Sequence, residues 1–293
     1  MPASALALVL VAALLHALWN LAAKRAGGDH RFAFISAALV TLLWLPVAAW
    51  VGLQQLAQWT PITWACVGVS ALLHVLYFNV LLLGYRASDL TVVYPVARGA
   101  APLLSVACAW TLLGEPVRAA GVAGVLMVCT GVFAVAGGPG IAARAHDAVA
   151  RARVLAGLRW GLATGAFIAA YTVVDAYAVK LLLVSPVLLD YMGNVLRLPV
   201  LAPAALRDRA ALAAAWRAQW RHALVVALLG PLAYMLVLGA MQLAPLSSVA
   251  PARELSMLFA ALLGGQLLGE QDRVARLIGA VCIAAGVMLL ALG

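Results

Sequence analysis

The chain has 293 residues, of which 66% are hydrophobic and only 10% are charged, and its mean hydropathy is +1.06. Soluble domains carry about 25% charged residues, and a single core of this size cannot hide so much apolar surface from water. The composition therefore excludes a soluble globular protein and a disordered chain. It also excludes a nucleic-acid-binding protein, despite a formal net charge of +9. We expect an integral membrane protein.

Apolar runs of about 20 residues, long enough to cross a bilayer, follow one another along the whole chain. Because lipid offers the backbone no hydrogen-bond partners, each run is predicted to be a helix. The first run lacks a basic n-region, so we predict that it is an uncleaved transmembrane helix and not a signal peptide. The ten predicted helices cover residues 3–23, 32–52, 62–85, 90–113, 118–137, 155–179, 186–206, 222–243, 246–268 and 274–292.

The loop charges predict the orientation of these helices. Fourteen Lys and Arg residues follow odd-numbered helices, whereas only Arg118 and Lys180 fall in the other loops or at the termini. Cytoplasmic loops are the ones enriched in Lys and Arg. We therefore expect a multi-pass protein of the bacterial inner membrane with both termini outside and the linker 138–154 in the cytoplasm.

The second half of the chain repeats the first at an offset of 155 residues. Arg98 aligns with Arg253 and Asn20 with Asp175. Further aligned pairs are Gly84 with Gly239, Gly124 with Gly279, Gly131 with Gly286, and Leu112-Leu113-Gly114-Glu115 with Leu267-Leu268-Gly269-Glu270. Matched Arg, Glu and spaced Gly are hard to obtain by chance, even in a chain rich in Leu and Ala.

Each half holds five predicted helices, and this odd number inverts the second copy in the membrane. We predict an all-α membrane protein whose ten helices form a 5+5 inverted repeat around a central cavity, the architecture of secondary transporters. The first repeat covers 1–137 with helices 1 to 5, a cytoplasmic linker covers 138–154, and the second repeat covers 155–293 with helices 6 to 10.

Together with this repeat, the Trp19-Asn20…Lys24 stretch and the two Leu-Gly-Glu sequences resemble the EamA-type transporters of the drug/metabolite transporter (DMT) superfamily. The resemblance covers essentially the whole chain. It implies a carrier of small metabolites, often an exporter, with a cavity lined by helices 1, 3, 4, 6, 8 and 9. Many members have both termini in the cytoplasm, so the direction of transport is not carried over.

Two arginines lie inside predicted helices at matching positions of the repeats, Arg98 and Arg253. An ionisable group in the membrane costs about 2.5–3.5 kcal/mol on insertion scales and usually has a function. One interpretation is that both guanidinium groups bind an anionic group of a substrate, with Tyr94 on the same face as Arg98. The other is that each arginine is held structurally by Glu254, Asp175 or a helix-end carbonyl.

Further polar residues form stripes on the predicted helices. His16 and Asn20 share a face of the first helix with Trp19 nearby, and Tyr171 and Asp175 occupy the matching positions of the sixth. We expect Trp19, Asn20 and Tyr171 to line a substrate cavity. His74 and Tyr77 of the third helix and Tyr234 of the eighth are further candidates, although a lone His in a helix is often a packing residue.

Three groups could carry protons between access states: Asp175, Glu254 and His16. For Asp175 a fixed counter-ion role is the alternative. In the seventh helix, Asp190 and Arg197 are predicted to interact through Asn194.

The sequence offers no sign of an enzyme or a cofactor site. It has no nucleotide-binding GxxxxGK[ST], no HExxH and no GxSxG, and its four cysteines stand singly in apolar runs. We expect no catalytic residue, no metal and no cofactor.

The leading hypothesis is a secondary transporter of a small anionic or zwitterionic metabolite that works by alternating access. The alternatives are a proton-coupled exporter of lipophilic or cationic compounds and a non-transporting membrane assembly subunit. The expected partners are a small-molecule substrate, the lipid bilayer and protons, with the chain a monomer or a homodimer.

Overall fold

Apolar runs interrupted by Pro, Gly and charged residues give this chain its series of helices. The structure is a computed structural model that describes residues 1–136, 141, 147–265 and 273–292. All regular elements in these ranges are helical. The helices are α1 (Ala3–Ala26), α2 (His30–Gln55), α3 (Pro61–Ala87), α4 (Leu90–Leu112), α5 (Ala119–Val135), α6 (Ala148–Lys180), α7 (Pro186–Leu206), α8 (Arg209–Leu243), α9 (Leu246–Ala252), α10 (Leu255–Gly265) and α11 (Arg273–Leu292).

Six helices in the described ranges are long and apolar enough to cross a membrane: α1, α2, α3, α4, α6 and α8. Two shorter apolar segments, α5 and Leu277–Leu292 of α11, accompany them. Large apolar side chains on the outer surface, such as Leu42, Trp50 and Leu53, are exposed. Such a surface is suited to contact with lipid and not with water.

Two helices begin earlier than predicted. The Arg-rich segments before residues 155 and 222 are not loops but the first turns of α6 and α8. At 1.5 Å per residue, the 35 residues of α8 extend about 52 Å, well beyond a hydrocarbon core of about 30 Å. Asp147 and Asp208 each accept a hydrogen bond from a backbone amide three residues later and thereby cap the two helices.

The helix predicted over 246–268 is interrupted in the structure: α9 ends at Ala252 and α10 begins at Leu255. Pro251 has no N–H to donate to the helix, and the amide of Glu254 instead donates to the Pro251 carbonyl at 3.0 Å. Arg253 and Glu254 therefore lie in a turn between two short helices. In α4, by contrast, Pro95 and Pro102 are accommodated inside one helix.

Helices of the two halves pack against each other throughout the molecule. The pairs include α5 with α11, α1 with α8, α3 with α6, α4 with α6, α1 with α10, α2 with α7, and α4 with α9. The largest apolar core contains residues of α1, α3, α4 and α5 of the first half and of α6 to α11 of the second.

Glycines allow the closest of these contacts. A Cβ added to Gly131 would lie 2.5 Å from the carbonyl oxygen of Gly279, and one added to Gly124 would lie 2.9 Å from that of Gly286. The residue numbers rise along α5 as they fall along α11, so the two helices are antiparallel. Small residues let helices approach in this way where lipid provides no hydrophobic drive for association.

Both ends of the described chain lie on the same side of the helix bundle. The nitrogen of Met1 donates to the carbonyl of Ala291 at 2.8 Å. Met1, Arg118 and Pro245 line one pocket, so the loops after α4 and α8 lie on this side too. On the opposite side, Gln219 of α8 donates to the carbonyl of Ala26, at the end of α1.

Candidate functional site

The two matched arginines meet at a single carboxylate. Nη2 of Arg98, in α4, lies 3.0 Å from Oε2 of Glu254, and Nε of Arg253 lies 3.9 Å from Oε1 of the same residue. The side chain of Glu254 is 1% exposed, and those of Arg98 and Arg253 are 16% and 8% exposed. We call these three residues the arginine–glutamate cluster. It joins α4 of the first half to the α9–α10 turn of the second.

The charges and donors of this cluster are not balanced. Two guanidinium groups face one carboxylate, which leaves a net positive charge among the three groups. Among the described residues, Nε of Arg98 and Nε of Arg253 are buried without a hydrogen-bond partner. A buried donor without a partner costs about 1–3 kcal/mol, so the arginines of this cluster are suited to bind an anionic group.

Helix α1 borders the arginine–glutamate cluster through His16. The charges of Arg98 and Arg253 both act on this side chain, which packs edge-to-face on Trp19 with ring centroids 4.9 Å apart. Asn20 is exposed and donates to the His16 carbonyl of its own helix at 2.7 Å. His16 thus lies within range of the arginine charges with Trp19 packed against it, while the amide of Asn20 is bound to its own backbone.

Tyr94 lies one turn before Arg98, as its spacing predicts, and its hydroxyl donates to Sδ of Met257 in α10 at 3.4 Å. This contact is a second link between α4 and the segment that carries Glu254.

A second group of polar side chains, the aromatic–acid cluster, joins α3, α6 and α8. It consists of His74, Tyr77, Tyr171, Tyr234 and Asp175. His74 stacks on Tyr171 with ring centroids 3.9 Å apart and meets Tyr77 and Tyr234 edge-on at 6.1 and 5.9 Å. Its Nδ1 lies 2.8 Å from the Ser70 carbonyl, so His74 is held in one orientation by its own helix.

Asp175 is the acid of this cluster. Its side chain is fully buried, and Oδ2 accepts a hydrogen bond from the hydroxyl of Tyr234. Oδ1 makes no hydrogen bond to the residues that the structure describes, although the Ser70 hydroxyl also acts on this carboxylate. The counter-ion interpretation requires an arginine at contact distance from Asp175, and none of the described arginines is there.

The two clusters are neighbours. The charge of Arg253 acts on Asp175 and Tyr171, and that of Arg98 acts on Tyr171. Tyr171 also packs with Ala101, one turn after Arg98 on α4. The interior therefore has a positive region and an acidic region, and Tyr171 lies within range of the charges of both. This distribution of charge is complementary to a molecule that carries opposite charges at its two ends.

In α7, Nδ2 of Asn194 donates to Oδ2 of Asp190 at 3.0 Å, which is the predicted contact between these two residues. Nε of Arg197 has no hydrogen-bond partner in the described ranges. The charge of Arg197 acts on both Asp190 and Asp175.

Glu115 makes contacts that the sequence did not reveal. Gly114 takes a left-handed conformation with φ +66°, and the chain then turns Glu115 toward the other half. Oε1 accepts from the amide of Leu246 at 2.6 Å and Oε2 from that of Ser247 at 2.9 Å, at the start of α9. Lys180, the last residue of α6, donates to Oε1 at 3.3 Å. We call this the Glu115 contact.

The environment of Glu115 favours its ionised form. Burial opposes the charge, but the hydrogen bonds from Ser247 and Leu246 and the ammonium of Lys180 outweigh burial and lower the pKa of Glu115 below its ordinary value of 4.5. Beside it lies a cavity of about 490 Å³, lined among others by Tyr177, Lys180 and Gln242.

The sequence signal for this contact was present in the repeated Leu-Gly-Glu. That repeat indicates the family but not the contact, because the partners of Glu115 at the start of α9 are backbone amides, which carry no residue signature. The second copy, at residues 267–270, lies outside the described residues, as does most of the linker before residue 147.

Comparison with known proteins agrees with this architecture. Two segments of the chain, residues 3–137 and 155–292, match the model of the EamA-like transporter family. No curated protein matches the chain. A solved crystal structure, described only as that of a protein, superposes on this chain with a TM-score of 0.72 at 20% sequence identity. The superposition covers 100% of this chain and 98% of the chain in the crystal structure. This likeness concerns the fold. Because the two matched segments span most of its length, the chain is a membrane transporter of the DMT type and belongs to the EamA-like transporter family.

Proposed function

We propose that the protein is a secondary transporter of a small zwitterionic or anionic metabolite, which it moves by alternating access. The observation that supports this most is the arginine–glutamate cluster, where two buried arginines from the two halves keep unused donors. Intramembrane charges of this kind usually mark a substrate pathway. Asp175 adds a buried carboxylate nearby, which favours a zwitterion over a simple anion.

An inverted repeat, with units 1–137 and 155–293 and a cytoplasmic linker at 138–154, is the proposed basis of alternating access. Its support is that the helix pairs persist when the halves are exchanged: α1 with α8 becomes α6 with α3, and α4 with α6 becomes α9–α10 with α1. The antiparallel packing of α5 against its counterpart α11 also supports an inverted repeat. Two similar halves of opposite orientation can exchange conformations and so open the site to either side.

We further propose that the protein lies in the bacterial inner membrane with both termini outside. The Arg-rich starts of α6 and α8 favour a cytoplasmic location for their side of the bundle. The Glu115 contact lies on the opposite, external side. Because it joins the first half to α6 and α9 of the second, it has to open whenever the site opens outward.

A proton-coupled exporter of lipophilic or cationic compounds is the second candidate. The buried Asp175, surrounded by Tyr171, Tyr234 and His74, favours it, because aromatic faces and a carboxylate attract cations. Asp175 would then bind either a proton or the substrate, and His16 and Glu254 are the other proposed proton carriers.

A ligand screen on the purified protein separates the two candidates. A ligand that binds the folded state raises the melting temperature, and the panel contains amino acids, aminophosphonates, organic acids and quaternary amines. For a zwitterion transporter we expect Arg98→Gln and Asp175→Asn each to abolish stabilisation by the same compounds. Stabilisation by quaternary amines that is lost in Asp175→Asn but kept in Arg98→Gln would favour the exporter. Stabilisation by no compound would contradict both proposals and favour an assembly subunit.

A further inference from the structure

Glu254 occupies the place where an anionic substrate would bind. It is the single carboxylate of the arginine–glutamate cluster, with Oε2 at 3.0 Å from Arg98 and Oε1 at 3.9 Å from Arg253. A carboxylate or phosphonate of a substrate needs these same guanidinium groups. Substrate and Glu254 therefore compete for Arg98.

The backbone around Glu254 permits such a competition. Glu254 lies in the turn between α9 and α10 and not inside a helix. Its amide donates to the Pro251 carbonyl at 3.0 Å, and its own carbonyl accepts from Met257 at 2.9 Å, so the backbone of this turn is satisfied without the side chain. The carboxylate can leave Arg98 without breaking a helical hydrogen bond.

We propose that Glu254 is an internal substitute for the acid group of the substrate, which displaces it from Arg98 on binding. This inference rests on the proposed function and adds a residue that determines specificity. When the site is empty, Glu254 neutralises one arginine and links the two halves. When an anionic group binds Arg98, that link is released.

The exchange selects ligands by charge. Removing a carboxylate from a buried guanidinium without replacing it leaves an uncompensated charge, which is strongly unfavourable. Only a ligand with a negative group can supply the replacement. Neutral and purely cationic compounds cannot displace Glu254, so the residue excludes them.

A purely structural role for Glu254 predicts the opposite result for the same variant. If Glu254 serves to hold the arginines in position, Glu254→Gln disorders them and weakens anion binding. If Glu254 competes with the substrate, Glu254→Gln removes the competitor and strengthens binding. The sign of the change in dissociation constant distinguishes the two roles.

The experiment uses acetate and methylphosphonate as probes on the purified full-length chain. Their dissociation constants are obtained from the melting temperature as a function of probe concentration. We expect Glu254→Gln to lower the dissociation constant at least tenfold, and Glu254→Asp, whose shorter carboxylate holds Arg98 less closely, to lower it by a smaller factor. The matched control is Asp190→Asn, a partly buried acid outside the cluster, whose side chain is bound by Asn194. It should stay within twofold of the unmodified chain.

Three results would overturn the inference. The first is unchanged or weaker probe binding in both Glu254→Gln and Glu254→Asp, when each variant elutes as the unmodified chain does in size-exclusion chromatography. This result contradicts the competition. It leaves the proposed function intact if Arg98→Gln still abolishes binding. An equal gain in Asp190→Asn shows a general charge effect and contradicts the specific role. Probe binding that survives Arg98→Gln, or no binding in any form of the chain, contradicts the proposed function as well.

Discussion

At the scale of single residues, the membrane interior of this protein contains polar groups whose partners come from distant parts of the chain. Glu254 is held by an arginine 156 positions earlier, and Asp175 by Tyr234. Because an unpaired charge in this environment is costly, each such contact fixes the relative position of two helices. Stability and substrate binding are therefore expected to depend on the same side chains.

The hydrogen bond from Tyr234 to Asp175 can be compared with one that Tyr191 donates to a backbone carbonyl, that of Thr41. Hydrogen bonds to charged groups contribute about 1.5–3 kcal/mol, and neutral ones about 0.5–1.5 kcal/mol. We expect Tyr234→Phe to lower the melting temperature of the purified protein more than Tyr191→Phe does. Equal losses would contradict a charged Asp175 in the empty protein.

Glu115 gives a prediction for the effect of acid. Its folded-state pKa lies below the ordinary value of 4.5, so its ionisation stabilises the fold at every pH above that value, and this contribution is lost as the pH falls through the lower, folded-state pKa. We expect Glu115→Gln to be destabilised by about 1–3 kcal/mol at pH 7, because two backbone amides and Lys180 lose a charged partner.

The measurement is the difference in melting temperature between the unmodified chain and Glu115→Gln across the pH range. It should be constant from pH 7 to pH 5 and should shrink at pH values below 4.5. A difference that does not change down to pH 3 would show that the charge of Glu115 is not involved.

At the scale of elements, the apolar runs predicted most helices to within a few residues, since lipid permits little else for such segments. Hydropathy alone does not place the break at Arg253–Glu254, since the similar apolar run of α4 continues through Pro95 and Pro102 as one helix. The sequence predicts loops at the Arg-rich starts of α6 and α8, because charge marks where the bilayer ends and not where the helix ends.

The contact between α5 and α11 depends on the absence of side chains at its glycines. An alanine at position 131 would place its Cβ 2.5 Å from the Gly279 carbonyl, whereas one at position 68 in α3 would meet nothing within 4 Å. We expect Gly131→Ala to destabilise the protein by about 1–3 kcal/mol, as overpacking does.

Gly68→Ala is the matched control and should be neutral or slightly stabilising, because alanine favours the helix by about 1 kcal/mol. Melting temperatures of the two variants in the same detergent test this. Equal values would contradict a close approach of α5 to α11.

The candidate site was only partly predictable from the sequence. The repeat identified Arg98 and Arg253 as a matched pair, and their intramembrane position marked them as important. Glu254 was only one of three partners that the sequence allowed for them, because in a continuous helix it points about 100° away from Arg253. Pairings across the halves, such as His74 on Tyr171, depend on tertiary packing that a single sequence does not encode locally.

At the scale of the whole molecule, the orientation can be tested by labelling. Leu183 is exposed in the loop after α6, and Asp208 precedes the Arg-rich start of α8 on the other side. In a chain with its four cysteines replaced, we expect Leu183→Cys to react with a membrane-impermeant thiol reagent on intact cells. Asp208→Cys should react only after the cells are opened. The reverse pattern would place both termini in the cytoplasm.

The central claim is that the arginines of both halves bind the transported molecule, and its most direct test is flux. Proteoliposomes are loaded with the zwitterion or acid that stabilises the protein best, and exchange of the labelled compound is measured. We expect Arg98→Gln, Arg253→Gln and the double variant to lose exchange, while Arg159→Gln, an exposed arginine of α6, keeps it. Undiminished exchange by the double variant would contradict the account.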